Sequence, residues 1–500
     1  MTAAQGAPTV KRARTDAAGG GEAAPLRLAA GYLDDAFTTR FHAAFAGASG
    51  DSAVDLEPAA DGRGGEITAK PFPVGRLRGV FPAAFLRGLK AELEGMAWHE
   101  RSNDLYWFHQ TNDLALEGQR HVKQLRDYMA GEEFVGFMEK VTGVQLARGR
   151  LDMAAQRYKR GNHLLCHDDD VQQGEMTRRI AYIIYLVDDG WSAEDGGALG
   201  LFATDGDGYP TRVVARIVPE FNSMGFFLTG QASFHTVEEV TVADEAVERW
   251  SVTGWFYGPV AQQDAGCPAA AALAPLPRSL VLPPMDELGP ADAEGDAREW
   301  ARWVGADYLK PAVQSRIQDA FLEQSSVELR DFLQPAVAAA VQAELQATTW
   351  TTSHAPAHVR MHLEASPSDG TTLGELCRFL RSASFGRLLE QLTTLAVASA
   401  SQQLRRFERG HYTLINDQAL EPDGLDATLS LVAPNVDWDD AWGGATHYIA
   451  DKDELLRIHP TANSLSLVLR DEGTLRFVKH VSRAAMAVRQ DIAMVFQEAD

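Results

Sequence analysis

The sequence is poor in cysteine, short of positive charge and free of long hydrophobic runs. Its three cysteines, Cys166, Cys267 and Cys377, are too few and too scattered for a disulfide framework or a zinc cluster. The 46 Lys and Arg residues face 69 acidic residues, a net charge of −23, which disfavours direct nucleic-acid binding and favours a basic protein partner. No apolar run approaches the length of a membrane span, about 18 residues. We therefore expect a globular protein of a reducing compartment, cytoplasmic, nuclear or both, with no membrane partner.

The length of 500 residues exceeds one ordinary hydrophobic core, so two or more domains are expected. Residues 1–26 are small, polar and rich in Gly and Ala, which predicts a disordered tail. The basic cluster KRAR within this tail is either a solvated segment or a nuclear import signal. Residues 261–297 are rich in Pro, Ala and acid and are predicted to be a linker. The two domains would then be 27–260 and 298–500.

Hydrophobic periodicity predicts helices before strands in both domains. Helical spacing covers 84–95 and 121–140, and again 298–308, 313–333 and 335–347. Runs rich in β-branched and aromatic residues at 179–189, 212–219, 223–230 and 249–258 predict strands. The fold class expected from this order is α+β, a β sandwich or barrel braced by helices.

An internal repeat is the most informative feature of the organisation. RYKRGNHLLCHDD (157–169) aligns without gaps with RFERGHYTLINDQ (406–418), EDGGALGLF resembles AWGGATHYI, and RWSVTGWF (249–256) resembles RQDIAMVF (489–496). Three similar stretches in the same order predict two copies of one β fold.

The repeat also separates structural from chemical positions, because apolar residues are kept while polar ones are replaced. The replaced pairs are His167 by Asn416, Asp169 by Gln418, Tyr158 by Phe407 and Ser251 by Asp491. We therefore expect the first copy to carry chemistry and the second to be a scaffold or binding surface.

The stretch HLLCHDDD (163–170) suggests half of a metal site. Residues i and i+2 of a strand point to one face, so His167 and Asp169 would reach one cation together. His235, at the start of a later alternating stretch, would complete two histidines and one carboxylate, the facial triad that holds Fe(II) with three open positions. The alternative is an acidic surface loop.

Arg249 strengthens the metal hypothesis. On a strand facing an apolar interior, a guanidinium needs a buried anion, and a dicarboxylate cosubstrate that chelates iron at its other end would supply one. Ser251 shares the face of Arg249, and Tyr158 and Tyr185 are further hydroxyl donors for the same anion. The alternative is a surface ion pair between Arg249 and Glu238 or Glu239.

The motifs RYKRGNHLLCHDDD, RRIAYIIYLV, GGALGLF, FHTVEEV and RWSVTGWFYG, in this order, resemble the ribosomal prolyl hydroxylases. The resemblance runs from about residue 27 to the end. It implies tandem double-stranded β-helix domains, of jelly-roll or cupin type, with a degenerate and metal-free second copy. His167, Asp169 and His235 would bind Fe(II), and Arg249 would hold 2-oxoglutarate with Tyr158, Tyr185 and Ser251.

The same resemblance implies an enzyme that uses O₂ and 2-oxoglutarate, with L-ascorbate keeping the iron reduced. The substrate would be a prolyl residue of a small-ribosomal-subunit protein at the decoding centre, with effects on translation fidelity or termination. Three alternatives stay open: a prolyl 4-hydroxylase-type oxygenase of the hypoxia or collagen kind, a non-catalytic acidic scaffold for a basic protein, and a zinc or manganese cupin without cosubstrate.

Overall fold

The computed structural model describes residues 25–49, 53–57, 63–260, 276, 283–289, 293–415, 423–451 and 453–498. Residues 1–24 of the predicted tail 1–26 and most of the predicted linker, 261–297, lie outside these ranges, whereas Leu26 is buried in the core. We call residues 25–260 the first half and residues 283–498 the second half. Among the described residues, no helix combines the length and hydropathy that crossing a bilayer requires.

The helices of the first half are α1 Asp35–Ala46, α2 Ala83–Glu94, α3 Arg120–Met129 and α4 Glu132–Thr142. Those of the second half are α5 Asp296–Trp303, α6 Pro311–Gln324, α7 Pro335–Ala347, α8 Thr372–Leu380 and α9 Ala383–Thr393.

The first half contains one large antiparallel sheet. Its strands are β1 Val54–Leu56, β2 Gly65–Thr68, β3 Val74–Arg78, β4 His99–Ser102, β5 Tyr106–Gln110, β6 Ala154–Tyr158, β7 His163–His167, β8 Gln172–Gln173, β9 Met176–Tyr185, β10 Leu199–Thr204, β11 Pro210–Ile217, β12 Ser223–Leu228, β13 His235–Val237 and β14 Arg249–Pro259. The main path runs β1-β2-β3-β12-β9-β14-β6-β5-β7-β13-β10-β11.

This sheet curls so that distant strands of the path face each other. Leu199 and Leu201 of β10 share a buried cluster with Ala181 and Tyr185 of β9. The opposite side of β9, including Ile184, packs in the core cluster that holds helices α1 to α4. Strand β9 is therefore buried on both faces, which explains why its sequence is an apolar run rather than an alternation.

The second half is also mostly antiparallel. Its strands are β15 Asp286–Glu287, β16 Ser326–Arg330, β17 Thr351–Thr352, β18 Arg360–Met361, β19 Leu363–Ala365, β20 Val397–Phe407, β21 Tyr412–Thr413, β22 Gly424–Ser430, β23 Thr446–Ala450, β24 Asp453–Ile458, β25 Ser464–Arg470, β26 Leu475–Val478 and β27 Arg489–Glu498. The largest sheet runs β16-β25-β22-β27-β20-β19-β17, and β24-β23-β26 form a separate sheet.

Three predicted helices differ from the structure. The predicted helix 298–308 ends at Trp303, because Val304 has an extended backbone. The predicted helix 121–140 is interrupted between Met129 and Glu132, where Gly131 caps α4 with an extended backbone. The predicted helix 313–333 ends at Gln324, because Ser325 adopts a left-handed conformation with φ of 55°. The residues that follow form β16 and pair with β25, so pairing with a distant strand outweighs local helix propensity there.

Candidate metal centre

Two imidazoles and one carboxylate meet where β7 ends and β13 begins. His167 and His235 are direct cross-strand partners, which puts their side chains on one face with ring centroids 4.1 Å apart. Asp169 Oδ1 lies 3.6 Å from His167 Nε2, and Asp169 Oδ2 lies 3.3 Å from His235 Nε2. One ligand atom from each of the three lies within 4.8 Å of the others, as binding of one metal ion requires.

Backbone carbonyl groups hold both imidazoles in the orientation that a metal needs. His167 Nδ1 is 2.8 Å from the Leu165 carbonyl oxygen, and His235 Nδ1 is 2.8 Å from the Ser233 carbonyl oxygen. A carbonyl oxygen only accepts, so each Nδ1 carries the proton and each Nε2 keeps its lone pair. Both Nε2 atoms point at Asp169, and the three side chains therefore present a preorganised set of donors.

Asp169 reaches the site by a turn and not by strand alternation. Strand β7 ends at His167, and Asp169 has a left-handed φ of 63°, a conformation that Asp tolerates better than most residues. The period-2 argument from sequence therefore named a pair that the structure does bring together, but its geometric reason is wrong. The other acids do not join the metal group: Asp168 accepts from the Asp170 backbone N–H, and Asp170 is exposed.

Electrostatics keep His167 and Asp169 in their metal-binding protonation states. Burial lowers the pKa of His167 to about 4, so its imidazole is neutral at neutral pH. Burial alone would raise the pKa of Asp169, but His167, His235 and Arg178 outweigh it and hold the pKa well below its usual value. A carboxylate anion between neutral imidazoles attracts a cation.

Arg249 is a buried guanidinium with spare hydrogen-bonding capacity. It is 1% exposed, its Nε donates to the Gly197 carbonyl oxygen at 2.7 Å, and its Nη1 lies 3.4 Å from Ser251 Oγ. Among the described residues, its Nη2 has no hydrogen-bond partner. Since an unpaired buried guanidinium is strongly destabilising, the free Nη2 indicates a place for an anion.

The predicted hydroxyl donors surround this guanidinium. Arg249 lies 5.0 Å from the ring centroid of Tyr158 and 5.2 Å from that of Tyr185. The Tyr185 hydroxyl is buried and has no hydrogen-bond partner in the part of the chain that the structure describes, whereas the Tyr158 hydroxyl donates to Gln156 Oε1 at 3.1 Å. Burial raises the pKa of both phenols, so both stay protonated. Tyr185 and Ser251 are therefore the hydroxyl groups best placed for the same anion.

The alternative of a surface ion pair for Arg249 is wrong. Glu238 instead pairs with Arg216 at 2.8 Å, and the Glu239 side chain accepts hydrogen bonds from Ser482 and the Arg483 backbone. Neither carboxylate neutralises Arg249, whose described contacts are those given above.

Sequence reasoning missed two residues beside the triad, Trp255 and Arg178. The indole Nε1 of Trp255 donates to Asp169 Oδ2 at 3.1 Å, and the guanidinium of Arg178 lies over the Trp255 ring at 3.6 Å and 3.8 Å from Asp169 Oδ1. Trp255 follows Arg249 by an even number of residues on β14, so the rule that linked Arg249 to Ser251 would also have found it.

Replacing Trp255 by phenylalanine is expected to weaken metal binding by about tenfold or more, because the orienting hydrogen bond to Asp169 is lost. Titration of the metal-free protein with Co(II), followed by absorption, measures the affinity. Trp250→Phe is the matched control, since its indole donates to Glu248 at 3.0 Å and packs in the helix-side core. Equal affinities for the two variants would exclude this role of Trp255.

Comparisons with protein families match both halves of the chain. Residues 153–257 match the 2OG-Fe(II) oxygenase superfamily, a range that contains the triad and Arg249. Residues 296–500 match a family described as oxoglutarate and iron-dependent oxygenase degradation C-term.

Curated relatives match most of the chain. The prolyl 3-hydroxylase OGFOD1 of Xenopus laevis is 32% identical, over 83% of this chain and 84% of its own length. The prolyl 3,4-dihydroxylase OGFOD1 of Ostreococcus tauri is 30% identical, over 85% of this chain and 95% of its own. Among solved structures, a Pseudomonas putida prolyl-4-hydroxylase is 21% identical over 37% of this chain and 91% of its own, with a TM-score of 0.30.

Proposed function

Because this chain belongs to the family of iron- and 2-oxoglutarate-dependent prolyl 3-hydroxylases, and is thus a peptidyl-prolyl dioxygenase, we propose that it hydroxylates a prolyl residue of a small-subunit ribosomal protein at the decoding centre. The observations that carry its chemistry are the His167–Asp169–His235 cluster and the buried Arg249, whose Nη2 has no hydrogen-bond partner among the described residues. The ribosomal substrate is supported by the motif resemblance and by the net charge of −23, which suits a basic protein. Through this substrate the enzyme would affect translation fidelity or termination.

The residues of the site fit both cofactors of the family. His167 and His235 would bind Fe(II) through Nε2, and Asp169 through one carboxylate oxygen, a donor set that suits non-haem Fe(II). Arg249 would pair with the distal carboxylate of 2-oxoglutarate through its free Nη2, with hydrogen bonds from Tyr185 and Ser251. Tyr158 would contribute its ring face to Arg249 rather than its hydroxyl, which is already bonded to Gln156.

Bound Fe(II) and 2-oxoglutarate supply O₂-dependent oxidation, which inserts one oxygen into a prolyl C–H bond and releases succinate and CO₂. The protein's part is geometric and electrostatic. Leu165 and Ser233 carbonyl groups keep the imidazole protons on Nδ1, and the ring of Phe227, 4.7 Å from His235, excludes water from one side. We propose that L-ascorbate keeps the iron reduced, and that the enzyme works in the cytoplasm, the nucleus or both.

We propose further that the second half is a degenerate copy of the first. In the first half Arg249 pairs across the sheet with Tyr158, and in the second Arg489 pairs with Phe407, the positions aligned in sequence. Each arginine donates to the carbonyl oxygen of a glycine with positive φ, Gly197 or Gly444. Shared register and shared backbone contacts support two copies of one fold.

The cofactor positions of the second half are filled by its own side chains. Asp491, aligned with Ser251, pairs with Arg489 at 2.6 Å and with Arg405 at 2.8 Å. The carboxylate of Asp491 therefore takes the place proposed for the cosubstrate carboxylate in the first half. Across the strand pair that corresponds to β10 and β13, Arg476 takes the position of His235 and pairs with Asp426 at 2.9 Å. The predicted replacements Asn416 and Gln418 lie outside the described residues.

The domain division at 27–260, 261–297 and 298–500 remains our proposal. The first sheet draws its strands from residues 54–259 and the other sheets draw theirs from residues 286–498, in keeping with two domains. The end of the proposed linker associates with the second half, because β15 pairs with β20.

Arg489→Gln distinguishes the two copies. We expect the 2-oxoglutarate requirement to stay unchanged. The unfolding free energy should fall by about 2 kcal/mol, because a buried charge-assisted hydrogen bond to Asp491 is removed while Arg405 still neutralises the Asp491 carboxylate. Chemical denaturation and succinate assays measure the two effects. A raised 2-oxoglutarate requirement with normal stability would mean that the second half also binds the cosubstrate.

The substrate is tested with Fe(II)-loaded protein, 2-oxoglutarate and prolyl peptides from small-subunit decoding-centre proteins. We expect succinate release and addition of oxygen to the prolyl residue, both lost when that proline is replaced by alanine. Peptides of the hypoxia and collagen kind serve as controls. Turnover on those peptides alone would overturn the ribosomal substrate, and mass spectrometry of ribosomal protein from cells with and without the gene would test it independently.

A further inference from the structure

A network of contacts joins the second half to the metal half through Glu239. This carboxylate lies just beyond β13 and is 6% exposed. Ser482 Oγ donates to its Oε1 at 2.5 Å, and the Arg483 backbone N–H donates to its Oε2 at 2.7 Å. A buried carboxylate is costly unless its oxygens accept hydrogen bonds, and both of these donors come from the second half.

The backbone of Glu239 continues this network to Arg249. The Gly197 N–H donates to the Glu239 carbonyl oxygen at 3.2 Å, and the Gly197 carbonyl oxygen accepts from Arg249 Nε at 2.7 Å. Gly197 has a φ of 66°, and a Cβ atom there would lie 2.6 Å from Arg249 Cδ. The glycine whose carbonyl oxygen accepts from the guanidinium is thus bonded through its own N–H to Glu239.

Ser482 is held in place by contacts within the second half. The Ser482 N–H donates to the Trp442 carbonyl oxygen at 2.9 Å. Its neighbour Val481 is fully buried in a cluster with Phe407 and Val478. A side chain held this way transmits its position to its partner, because packed interiors yield little to small displacements.

We propose that Glu239 is a positioning residue through which the second half sets the orientation of the Arg249 guanidinium for the cosubstrate carboxylate. This role rests on the proposed function, since it requires Arg249 to bind 2-oxoglutarate. The second half would then contribute to cosubstrate affinity without touching the cosubstrate.

Two substitutions test this role from opposite sides of the contact. Glu239→Gln replaces the negative charge and one of the two accepting oxygens by an NH₂ group. Ser482→Ala removes a donor without altering the first half. Both are expected to weaken 2-oxoglutarate binding by about tenfold. The affinity is measured calorimetrically on anaerobic Fe(II)-loaded protein, where no turnover occurs. In steady-state assays the KM for 2-oxoglutarate should rise, while kcat and the KM for the prolyl peptide stay at the wild-type values.

The chain offers matched controls for both variants. Glu238→Gln changes the adjacent carboxylate, which pairs with the half-exposed Arg216. The 2-oxoglutarate affinity of this variant should stay within about twofold of wild type, because ion pairs near the surface contribute little free energy. Ser482→Thr keeps the hydroxyl donor and should likewise bind 2-oxoglutarate within about twofold of wild type.

The outcomes separate this role from the proposed function. If Arg249→Gln weakens 2-oxoglutarate binding but Glu239→Gln and Ser482→Ala do not, the positioning role is wrong and the proposed function stands. If Arg249→Gln also leaves binding unchanged, the assignment of Arg249 fails and the positioning role fails with it. A parallel loss of kcat and stability without a change in 2-oxoglutarate affinity would make Glu239 merely a structural contact. Should Glu239→Gln not fold, Ser482→Ala with its threonine control decides.

Discussion

Asp169→Ala is expected to reduce succinate formation to below about one hundredth of the wild-type rate. Asp169 is the anionic member of the triad and lies within 3.6 Å of both imidazole Nε2 atoms, so its loss leaves two neutral donors with little attraction for a cation. The fold should persist, because Asp169 lies in a turn beyond β7 rather than within a strand. Metal content, circular dichroism and succinate assays measure the three properties.

Asp170→Ala is the control for this substitution, since Asp170 carries the same group one residue further on and is exposed. It should retain iron and activity. If Asp169→Ala kept about a tenth of the wild-type turnover or more, the loss would be no greater than that caused by removing an outer-shell partner of a ligand, and Asp169 would not be a ligand.

Arg249→Gln is expected to raise the 2-oxoglutarate concentration for half-maximal turnover by about a hundredfold, which corresponds to about 3 kcal/mol for breaking a buried ion pair. The kcat at saturating cosubstrate should fall less. Without cosubstrate, the unfolding free energy should not decrease, because glutamine replaces a buried cation whose Nη2 has no partner within the described ranges.

This stability effect is opposite to the one expected for Arg489→Gln, where the anion belongs to the protein itself. Denaturation of both variants with and without 2-oxoglutarate therefore compares two guanidinium groups. That of Arg249 is proposed to pair with the cosubstrate, and that of Arg489 pairs with a carboxylate of the protein. A loss of stability in Arg249→Gln, with an unchanged cosubstrate requirement, would show that Arg249 is structural.

The family and the enzyme class predicted from the sequence motifs are confirmed by the relatives. The alternative hypothesis of a non-catalytic scaffold is therefore wrong. The local motifs succeeded because chemistry at this site depends on residue types at short spacings: an imidazole and a carboxylate two residues apart, and an arginine on a strand with a serine two residues later. Such short patterns can be recognised in a single sequence without knowledge of the fold.

The sequence by itself determined the strands predicted around 179–189, 212–219, 223–230 and 249–258, which form β9, β11, β12 and β14. Runs of β-branched and aromatic residues and turn glycines are local properties. Only the tertiary structure decided how Asp169 turns into the site, where the helix after Pro311 ends, and which groups neutralise each buried arginine. It also decided that Glu239 contacts Ser482, 243 positions away. These features depend on backbone torsions imposed by distant packing and on the desolvation of charges, and neither is expressed in the spacing of neighbouring residues.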